Sequence, residues 1–394
     1  MNQTVAQIRT GEAESRIPEA ASLGRVQNLL PSRADHVGSF LRPKAVLYAR
    51  QELAEGRIGP DELRAVEDAA IAEVAKWQED LGLKVITDGE FRRYFFHTDF
   101  LLQLSGVEEH GGIAKAFKND AGKDVHFAPP KMVVTDKVAH TKPIQVRDFA
   151  YLKSVTTEIP KVSIPSPTML HFRAGRQGIP VDVYPEMDAF YADVAAAYRK
   201  EVAALAEAGC RYLQMDDTNL AYLCDEEQRA DARARGLDPD DTPRQYAQLI
   251  NDSFRDCPQD MIRAIHLCRG NFRSSWAAEG GYEPVAEIMF NELEIDAFFL
   301  EYDDPRSGDF APLRFLPKGK TVVLGLVTTK LGELETKDAI KRRIEEATKF
   351  ADLDQLALSP QCGFASTVHG NDITVEQQAD KIRLVVEVAK EVWG

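Results

Sequence analysis

His266 and Cys268 stand two residues apart at the end of a short apolar run, in the segment AIHLCRGN. Side chains two residues apart on an extended strand point to the same side. An imidazole and a thiol placed in this way can hold a transition metal, but such residues are also common as a packed pair in a protein core. Taken alone, the pair leaves both interpretations open.

Two other apolar runs end in groups that could complete a metal site. Glu301 lies in AFFLEYDD, and Cys362 precedes a glycine in QLALSPQCG. Two thiolates, an imidazole and a carboxylate suit Zn²⁺, which accepts S, N and O ligands in tetrahedral geometry. Structural zinc sites usually use short spacings such as C-x2-C, whereas these residues are far apart in sequence. The sequence therefore predicts a zinc site with ligands His266, Cys268, Glu301 and Cys362, and favours a catalytic role.

The donor set indicates which chemistry such a zinc site supports. Two thiolates and a carboxylate outweigh the two positive charges of the ion, so the site activates water poorly and holds a further thiolate well. A free thiol with a pKa of about 8.5 is mostly protonated at neutral pH, but a thiolate on zinc stays nucleophilic. The predicted reaction is alkyl transfer to a thiol. The other three cysteines, Cys210, Cys224 and Cys257, have no ligand partners nearby in the pattern.

The elements that would position these residues are eight short apolar runs, most of them followed by a segment of helical period. This alternation predicts the α/β class and a single (β/α)8 TIM barrel over residues 33–394, in which strand ends meet on one face. An open doubly wound sheet is the alternative, but HVGSFLRP is not a Gly-rich phosphate turn. The runs are residues 35–40, 84–90, 161–168, 212–217, 263–268, 297–304, 322–330 and 355–363.

Two segments depart from a plain barrel. Residues 1–32 are predicted to form an N-terminal extension. Residues 91–160 form a lid-like insertion, and the alternation in PKMVVTDKVAHTKPIQVRDF predicts a β-hairpin there, after strand two. A structural flap over the barrel rim is an equal alternative for this insertion.

Composition excludes several classes of partner. The 394 residues carry 63 acidic and 48 basic side chains, a net charge of −15, which disfavours nucleic acid and anionic membranes. Five scattered cysteines do not form a disulfide scaffold, so we expect reduced thiols and a cytoplasmic location. No apolar run is long enough for a signal segment or a membrane span. The choice between a monomer and a homo-oligomer stays open.

The segments IHLC, FLEYDD and SPQCG resemble the zinc motifs of the cobalamin-independent methionine synthase family. The similarity is to its catalytic C-terminal barrel and covers roughly residues 33–390, without the duplicated N-terminal barrel, as in a short single-barrel branch. The resemblance implies that His266, Cys268, Glu301 and Cys362 bind zinc. It also implies transfer of a methyl group from a methylfolate-type donor to zinc-bound homocysteine, giving methionine.

The resemblance extends to the homocysteine pocket. HVGSF resembles the turn that holds the amino-acid carboxylate, which implies this role for Val37, Gly38 and Ser39. TDGE and QMDD resemble the segments that bind the substrate ammonium, which implies this role for Glu90 and Asp216. Two carboxylates beside one buried cation offset its desolvation.

Some of these positions have another interpretation. Glu90 and Asp216 could instead form structural salt bridges with a neighbouring arginine, Arg92 or Arg93.

The chain departs from the family pattern in two places. Lys330 or a threonine of GLVTTKLGELE stands near the position of the histidine proton donor, and a lysine needs a shifted pKa to act as a fast acid. The folate-stacking tryptophan has no clear counterpart, and SPTMLHF offers His171 or Phe172. We therefore take Lys330 and His97 as candidate catalytic residues. The segment EFRRYFFHTDF could also form a donor pocket, unless its aromatic rings only pack a helix on the barrel; its members are Tyr94, Phe95, Phe96 and His97.

Three other functions are compatible with parts of this pattern. A relative in the same family opens epoxides with coenzyme M, although two acids in the pocket would repel its sulfonate. A non-catalytic zinc-binding barrel keeps the ligands without the reaction. A barrel of the uroporphyrinogen decarboxylase type would need no metal. The zinc ligands separate the first two functions from the third.

Overall fold

The computed structural model describes residues 30–112, 115–119, 124–128 and 130–394. The predicted N-terminal extension, residues 1–32, lies almost entirely outside the described residues. The strands are β1 (Val85–Ile86), β2 (Ser105–Gly112), β3 (Lys115–Lys118), β4 (Asp124–Phe127), β5 (Pro130–Ala139), β6 (Ile159–Pro160), β7 (Val162–Pro165), β8 (Tyr212–Asp217), β9 (Ile262–Leu267), β10 (Ala297–Glu301), β11 (Thr321–Val327) and β12 (Leu356–Pro360).

Helices follow most of the strands along the chain. The helices are α1 (Lys44–Ala54), α2 (Pro60–Asp80), α3 (Thr98–Leu101), α4 (Val146–Val155), α5 (Met169–Phe172), α6 (Met187–Glu207), α7 (Asn219–Tyr222), α8 (Glu226–Ala234), α9 (Thr242–Phe254), α10 (Glu283–Glu292), α11 (Lys337–Ala347) and α12 (Val375–Trp393). Short 3₁₀ turns occur at Gly175–Gly178, Pro305–Ser307, Ala311–Phe315 and Leu353–Gln355. Within the described ranges, no helix is both long and apolar enough to cross a membrane.

The main sheet is parallel and buried, which confirms the α/β class. Its strand order is β12-β11-β10-β9-β8-β7, and β1 pairs in parallel with β6. Strands β8, β10, β11 and β12 are buried along their whole length, as expected when both faces of a parallel sheet are covered. The predicted runs from residue 161 onward therefore correspond to strands of this sheet, with ends shifted by a few residues.

The first predicted run, residues 35–40, makes only isolated bridges rather than a full strand. The Asp35 N–H donates to the Leu358 carbonyl at 3.0 Å, on the last strand of the sheet. The Phe40 N–H donates to the Gly89 carbonyl at 3.1 Å, just after β1. Residues 34–40 thus contact both the last strand of the sheet and the segment after β1.

The register of the parallel strands places their carboxyl ends along one edge. Asp216 of β8 is paired with His266 of β9, and Phe299 of β10 is also paired with His266. Glu301, the last residue of β10, is paired with Gly325 of β11. Groups far apart in sequence therefore come together at this edge, as strand ends do in α/β folds.

Residues 91–160, predicted to be an insertion, contain two antiparallel strand pairs. Strand β2 pairs with β5, and β3 pairs with β4. The sequence placed both arms of a hairpin within PKMVVTDKVAHTKPIQVRDF, and this placement is wrong: residues 130–139 form one strand, whose partner is residues 105–112 upstream. The rest of that segment leads into helix α4, because alternation identifies a half-buried strand but not its partner.

A buried ion pair links the first segment to the sheet beneath the site. Lys161 Nζ lies 2.8 Å from Asp35 Oδ1, and both side chains are fully buried. Lys161 also contacts the His36 carbonyl, and the Tyr212 hydroxyl donates to Asp35 Oδ2 at 2.7 Å. Burial lowers the pKa of Lys161, while Asp35 opposes that shift. This pair fixes the start of the HVGSF segment.

We expect Lys161→Met to lower the free energy of unfolding by about 3 to 5 kcal/mol, because Asp35 would stay buried without a counter-ion. Urea denaturation measures this loss. The control is Lys84→Met on the surface, where Lys84 pairs with Glu158 at 2.6 Å, and its cost should stay below about 1 kcal/mol. Equal costs for the two variants would contradict the prediction.

Candidate metal centre

The four predicted zinc ligands converge at the edge of the sheet. The potential ligand atoms of His266, Cys268, Glu301 and Cys362 all lie within 4.8 Å of one another, and all four residues are buried. The two sulfur atoms are 3.5 Å apart, and His266 Nε2 is 4.0 Å from Glu301 Oε1. Residues up to 96 positions apart thus form one compact cluster, since 362 − 266 = 96.

The local backbone explains how each ligand reaches the cluster. His266 is the penultimate residue of β9 and Cys268 follows that strand, so the two side chains share one side. Glu301 is the last residue of β10. Cys362 lies two residues beyond β12, directly before Gly363, where an added Cβ would lie only 2.0 Å from Ser39 Oγ. A larger residue at 363 would therefore push Ser39 or the Cys362 loop away from the site.

The polar atoms of the cluster fit a metal ion. In the part of the chain that the structure describes, the buried His266 Nε2 and Glu301 Oε2 have no hydrogen-bond partner. The other imidazole nitrogen, Nδ1, lies 3.3 Å from the Phe299 carbonyl, so it serves as the N–H donor and leaves the Nε2 lone pair for a metal. Buried polar atoms without partners are costly, and a cation between them would remove that cost.

The pKa values of these groups reflect their crowding. A hydrogen bond from the Cys268 thiol, together with His266, holds the pKa of Cys362 well below its ordinary value. The same hydrogen bond, together with burial, raises the pKa of Cys268 far above its ordinary value. Burial lowers the pKa of His266, but the Cys362 thiolate raises it more, to about 9. The two sulfurs thus differ in proton affinity, as expected when two groups that both ionise to anions lie in contact.

Two buried cations flank the cluster. Lys330 Nζ has no hydrogen-bond partner among the described residues, and its charge opposes the upward pKa shift that burial gives Glu301. The guanidinium of Arg269 is likewise unpartnered within the described ranges and lies 4.4 Å from the centre of the Tyr282 ring. The Arg269 backbone N–H donates to Glu301 Oε1 at 3.1 Å. Sequence reasoning missed Arg269, although a charged residue directly after Cys268 was a signal.

A cavity of about 1360 Å³, including its open mouth, leads to the cluster and is lined by His266, Cys268 and Cys362. Val37, Ser39, Glu90 and Asp216 also line it. The four predicted substrate-binding residues in this group therefore face the same space as the cluster. Glu301 and Lys330 do not belong to the lining, so they lie behind it.

Glu90 and Asp216 form a buried acidic pair. Burial raises the pKa of both groups, and the Glu90 charge helps to raise that of Asp216 to about 7. Glu90 Oε1 accepts a hydrogen bond from Ser163 at 3.1 Å, and Gln214 donates to Asp216 Oδ1 at 2.7 Å.

An arginine also neighbours the acidic pair, as the structural interpretation required. Arg93 lies 3.8 Å from Glu90 Oε2, which is a loose ion pair. Arg92 instead pairs with Glu67, Asp68 and Asp148, away from Glu90. The carboxylates therefore keep acceptor capacity toward the cavity.

The turn of the HVGSF segment packs against this acidic pair. Gly38 has a φ of 143°, and a Cβ there would lie 3.4 Å from Glu90 Oε1. Its carbonyl accepts a hydrogen bond from Thr87 at 2.6 Å. The Ser39 hydroxyl accepts the Ala365 N–H at 3.3 Å, which leaves its own proton free to donate. The positive φ therefore favours glycine at 38, while the carboxylate stands at ordinary contact distance from a Cβ there.

Aromatic residues form the outer wall of the cavity. Phe95, Phe96 and His97 line it, whereas Tyr94 is not part of the lining and is exposed. The His97 ring is buried, and its centre lies 4.6 Å from that of Phe96. Three of the four residues predicted for a donor pocket thus face the cavity.

The segment SPTMLHF places one of its two candidate stacking residues at the cavity. Phe172 lines the cavity. His171 lies elsewhere, where its Nδ1 is 3.0 Å from each of the hydroxyls of Tyr191 and Tyr246. Sequence reasoning missed Arg173, Tyr222 and Asn271, which also line the cavity. The three cysteines without predicted ligand partners, Cys210, Cys224 and Cys257, are not members of the cluster.

Comparisons with known proteins agree with the motifs. Residues 33–391 match the family model described as "Cobalamin-independent synthase, Catalytic domain". The chain is 45% identical over 373 residues to the uncharacterized protein YxjH of Bacillus subtilis, covering 93% of this chain and 96% of that relative. It is 26% identical over 337 residues to the methionine synthase of Pyrococcus abyssi, covering 83% of this chain and 84% of that protein.

A solved structure agrees with this relationship. A Listeria monocytogenes protein, described as a candidate vitamin B12-independent methionine synthase, superposes with a TM-score of 0.73 at 38% identity, covering 93% of this chain and 99% of that one. Because the family match spans nearly all of the described residues, this chain belongs to the cobalamin-independent methionine synthase family, through its catalytic domain.

Proposed function

We propose that this protein is a zinc-dependent methyltransferase that moves a methyl group from a methylfolate-type donor to the thiolate of homocysteine, giving methionine. Methyl transfer to homocysteine is the reaction of the family to which the chain belongs. The observation that carries the proposal is the buried cluster of one imidazole, two thiols and one carboxylate, which opens onto a cavity with a second, acidic pair.

The ligands of the ion would be His266, Cys268, Glu301 and Cys362. When bound, zinc would keep the incoming thiol in its nucleophilic thiolate form at neutral pH. The chain's own part is to hold the sulfur-rich site away from water and to balance its negative charge. Lys330 and Arg269 supply two buried positive charges behind the cluster for this purpose.

The acceptor would be oriented by the inner end of the cavity. Glu90 and Asp216 would receive the ammonium group of homocysteine, and its carboxylate would meet the Val37–Gly38–Ser39 turn. The free Ser39 hydroxyl proton can donate to that carboxylate. The close packing of Gly38 against Glu90 keeps the two binding groups adjacent, as the two charges of an α-amino acid require.

Lys330 and His97 would serve the donor. Lys330 lies behind the cavity lining, so its candidate role is to favour the reaction through its positive charge beside the ligands, rather than by passing a proton to the departing nitrogen. Burial, followed by the charge of Arg173, holds the pKa of His97 well below its ordinary value, so the ring is neutral at neutral pH. His97 therefore donates a hydrogen bond to a bound molecule rather than giving up a proton.

We also propose the finer architecture around this site. The backbone hydrogen bonds of residues 34–40 to Leu358 on one side and to Gly89 on the other would close the sheet into a (β/α)8 barrel. Residues 33–394 would form this single domain, with residues 91–160 as a lid-like insertion over the mouth of the cavity. The proposed compartment is the cytoplasm, where its free thiols stay reduced.

Replacing either sulfur ligand should remove the metal. We expect Cys268→Ser and Cys362→Ser to lower zinc affinity by more than about 100-fold and to abolish methionine formation, since loss even of an outer-shell partner costs 10- to 100-fold. Metal content after dialysis and a homocysteine-dependent assay measure both effects. Cys257→Ser, outside the cluster, is the control and should keep its zinc; full zinc retention in Cys362→Ser would refute the ligand assignment.

Removing one acid of the pair should weaken binding of the acceptor. We expect Glu90→Gln and Asp216→Asn each to raise the KM for homocysteine by about 30-fold or more, because a buried charge partner contributes about 2 kcal/mol or more. Steady-state kinetics with zinc-loaded protein measure the change, and exposed Glu376→Gln is the control. The same substitutions should not weaken binding of coenzyme M, a sulfonate thiol, and a wild-type preference for that thiol would favour epoxide opening instead.

Lys330→Met should lower kcat by about tenfold or more, because it removes about 1.4 kcal/mol or more of charge stabilisation beside the cluster, while the KM for homocysteine changes little. Lys330→Arg should recover part of the rate because it keeps the charge. Rapid-quench measurement of methyl transfer in a single turnover separates this effect from product release. An unchanged single-turnover rate in Lys330→Met would exclude the role.

A further inference from the structure

Arg173 places an unpaired positive charge in the wall of the cavity. It follows helix α5 and lines the same space as Cys268 and Cys362. Arg173 Nη1 donates a hydrogen bond to His97 Nε2 at 3.1 Å, and Arg173 forms no ion pair with a carboxylate anywhere in the described ranges of the chain. Burial lowers the pKa of Arg173, yet an arginine keeps its charge at neutral pH. A partly buried guanidinium without a counter-ion is a ready anion-binding group.

This positive charge lies apart from the acidic pair. The titratable groups that act electrostatically on Arg173 are Tyr222 and Cys268, and neither is a carboxylate. Glu90, in contrast, is under the influence of Arg93 and Arg42. The cavity therefore has an acidic end at Glu90 and a basic end at Arg173.

His97 adds a second hydrogen-bond donor to the basic end. Because Nε2 accepts from Arg173, the neutral ring carries its proton on Nδ1. Nδ1 is buried and, in the part of the chain that is described, has no hydrogen-bond partner. A guanidinium and an adjacent imidazole N–H, both in the cavity wall, match the acceptor oxygens of a carboxylate.

Other charged groups at the cavity do not cancel this site. Glu227 and Asp231 line the mouth, but both are exposed, so solvent screens their charges. Arg235 lies 5.2 Å from the centre of the Phe172 ring and adds a further positive charge on the same side. The balance of the outer cavity near Arg173 thus favours an anion.

We propose that Arg173 and His97 form an anion subsite that binds a carboxylate of the methyl donor. This inference rests on the proposed function, in which the acceptor already satisfies its own carboxylate and ammonium at the acidic end. Aromatic side chains of Phe95, Phe96 and Phe172 lie in the same wall and suit a planar body attached to that carboxylate. Arg173 and His97 would thus hold the carboxylate while the aromatic wall packs on the planar body of the donor.

The test compares two ligands on the zinc-loaded full chain by titration calorimetry. The first is 5-methyltetrahydrofolate, which carries carboxylates, and the second is 6-methyltetrahydropterin, which has the ring without them. We expect the wild type to bind the first more tightly. Arg173→Gln should lower the affinity for 5-methyltetrahydrofolate by about tenfold or more and change the affinity for 6-methyltetrahydropterin by less than about twofold. Arg173→Lys should recover part of the lost affinity, since lysine keeps the charge without the planar guanidinium.

Matched controls separate this effect from misfolding and from overall charge. Arg244→Gln removes an exposed arginine that pairs with Glu292, and it should change neither affinity. Homocysteine affinity should stay the same in all of these variants, which reports an intact inner cavity. The subsite is refuted when the wild type shows no preference for the carboxylate ligand, or when Arg173→Gln weakens both ligands equally or neither.

A different measurement, methionine formation, tests the proposed function. Zinc-loaded wild type that forms no methionine from homocysteine and 5-methyltetrahydrofolate would contradict the methyl transfer. A carboxylate preference lost in Arg173→Gln would still establish the anion subsite in that case. If the wild type forms methionine and Arg173→Gln keeps the preference for the carboxylate ligand, the subsite is refuted while the methyl transfer stands.

Discussion

The burial of three acidic ligand groups beside one imidazole is the constraint on which the rest of the site depends. Glu301, Cys268 and Cys362 cannot all be ionised in a water-free cluster unless positive charge is close at hand. The hydrogen bond with Cys362 raises the pKa of Cys268, and burial raises that of Glu301. Lys330 and Arg269, the two cations behind the cluster, offset part of the repulsion among these anionic groups. The surroundings are therefore arranged around a charge balance that a divalent cation completes.

Side-chain alternation and strand ends were enough to predict the cluster. His266 and Cys268 were linked by their spacing of two, and Glu301 and Cys362 by their positions after buried apolar runs. The edge of a parallel sheet then brings such ends together whatever the sequence distance. Boundaries were less predictable: run 84–90 is a strand only at Val85–Ile86, because its partner β6 offers only the two residues Ile159–Pro160 for pairing.

The features that the sequence could not predict are relations between distant charges. Lys161 and Asp35 stand 126 positions apart, since 161 − 35 = 126, and only the tertiary structure shows them as a buried pair. The residue type of Arg173 is visible, but its lack of a carboxylate neighbour is a property of the folded cavity, within its described residues. The predicted partner strand of the hairpin was wrong for a related reason. Alternation in residues 130–139 carries no information on which segment pairs with them.

The backbone at Glu90 connects the acidic end of the cavity to this charge balance. Its φ of 58° is unusual for a residue with a side chain and costs about 1 to 3 kcal/mol. The Asp88 carboxylate accepts the Glu90 N–H at 2.8 Å, and Arg42 donates to the Glu90 carbonyl at 2.9 Å. These contacts turn the carboxylate toward Gly38 and the cavity instead of into a closer ion pair with Arg93. A purely structural acid would gain from that closer pair, so the retained strain favours a carboxylate kept available for a bound cation.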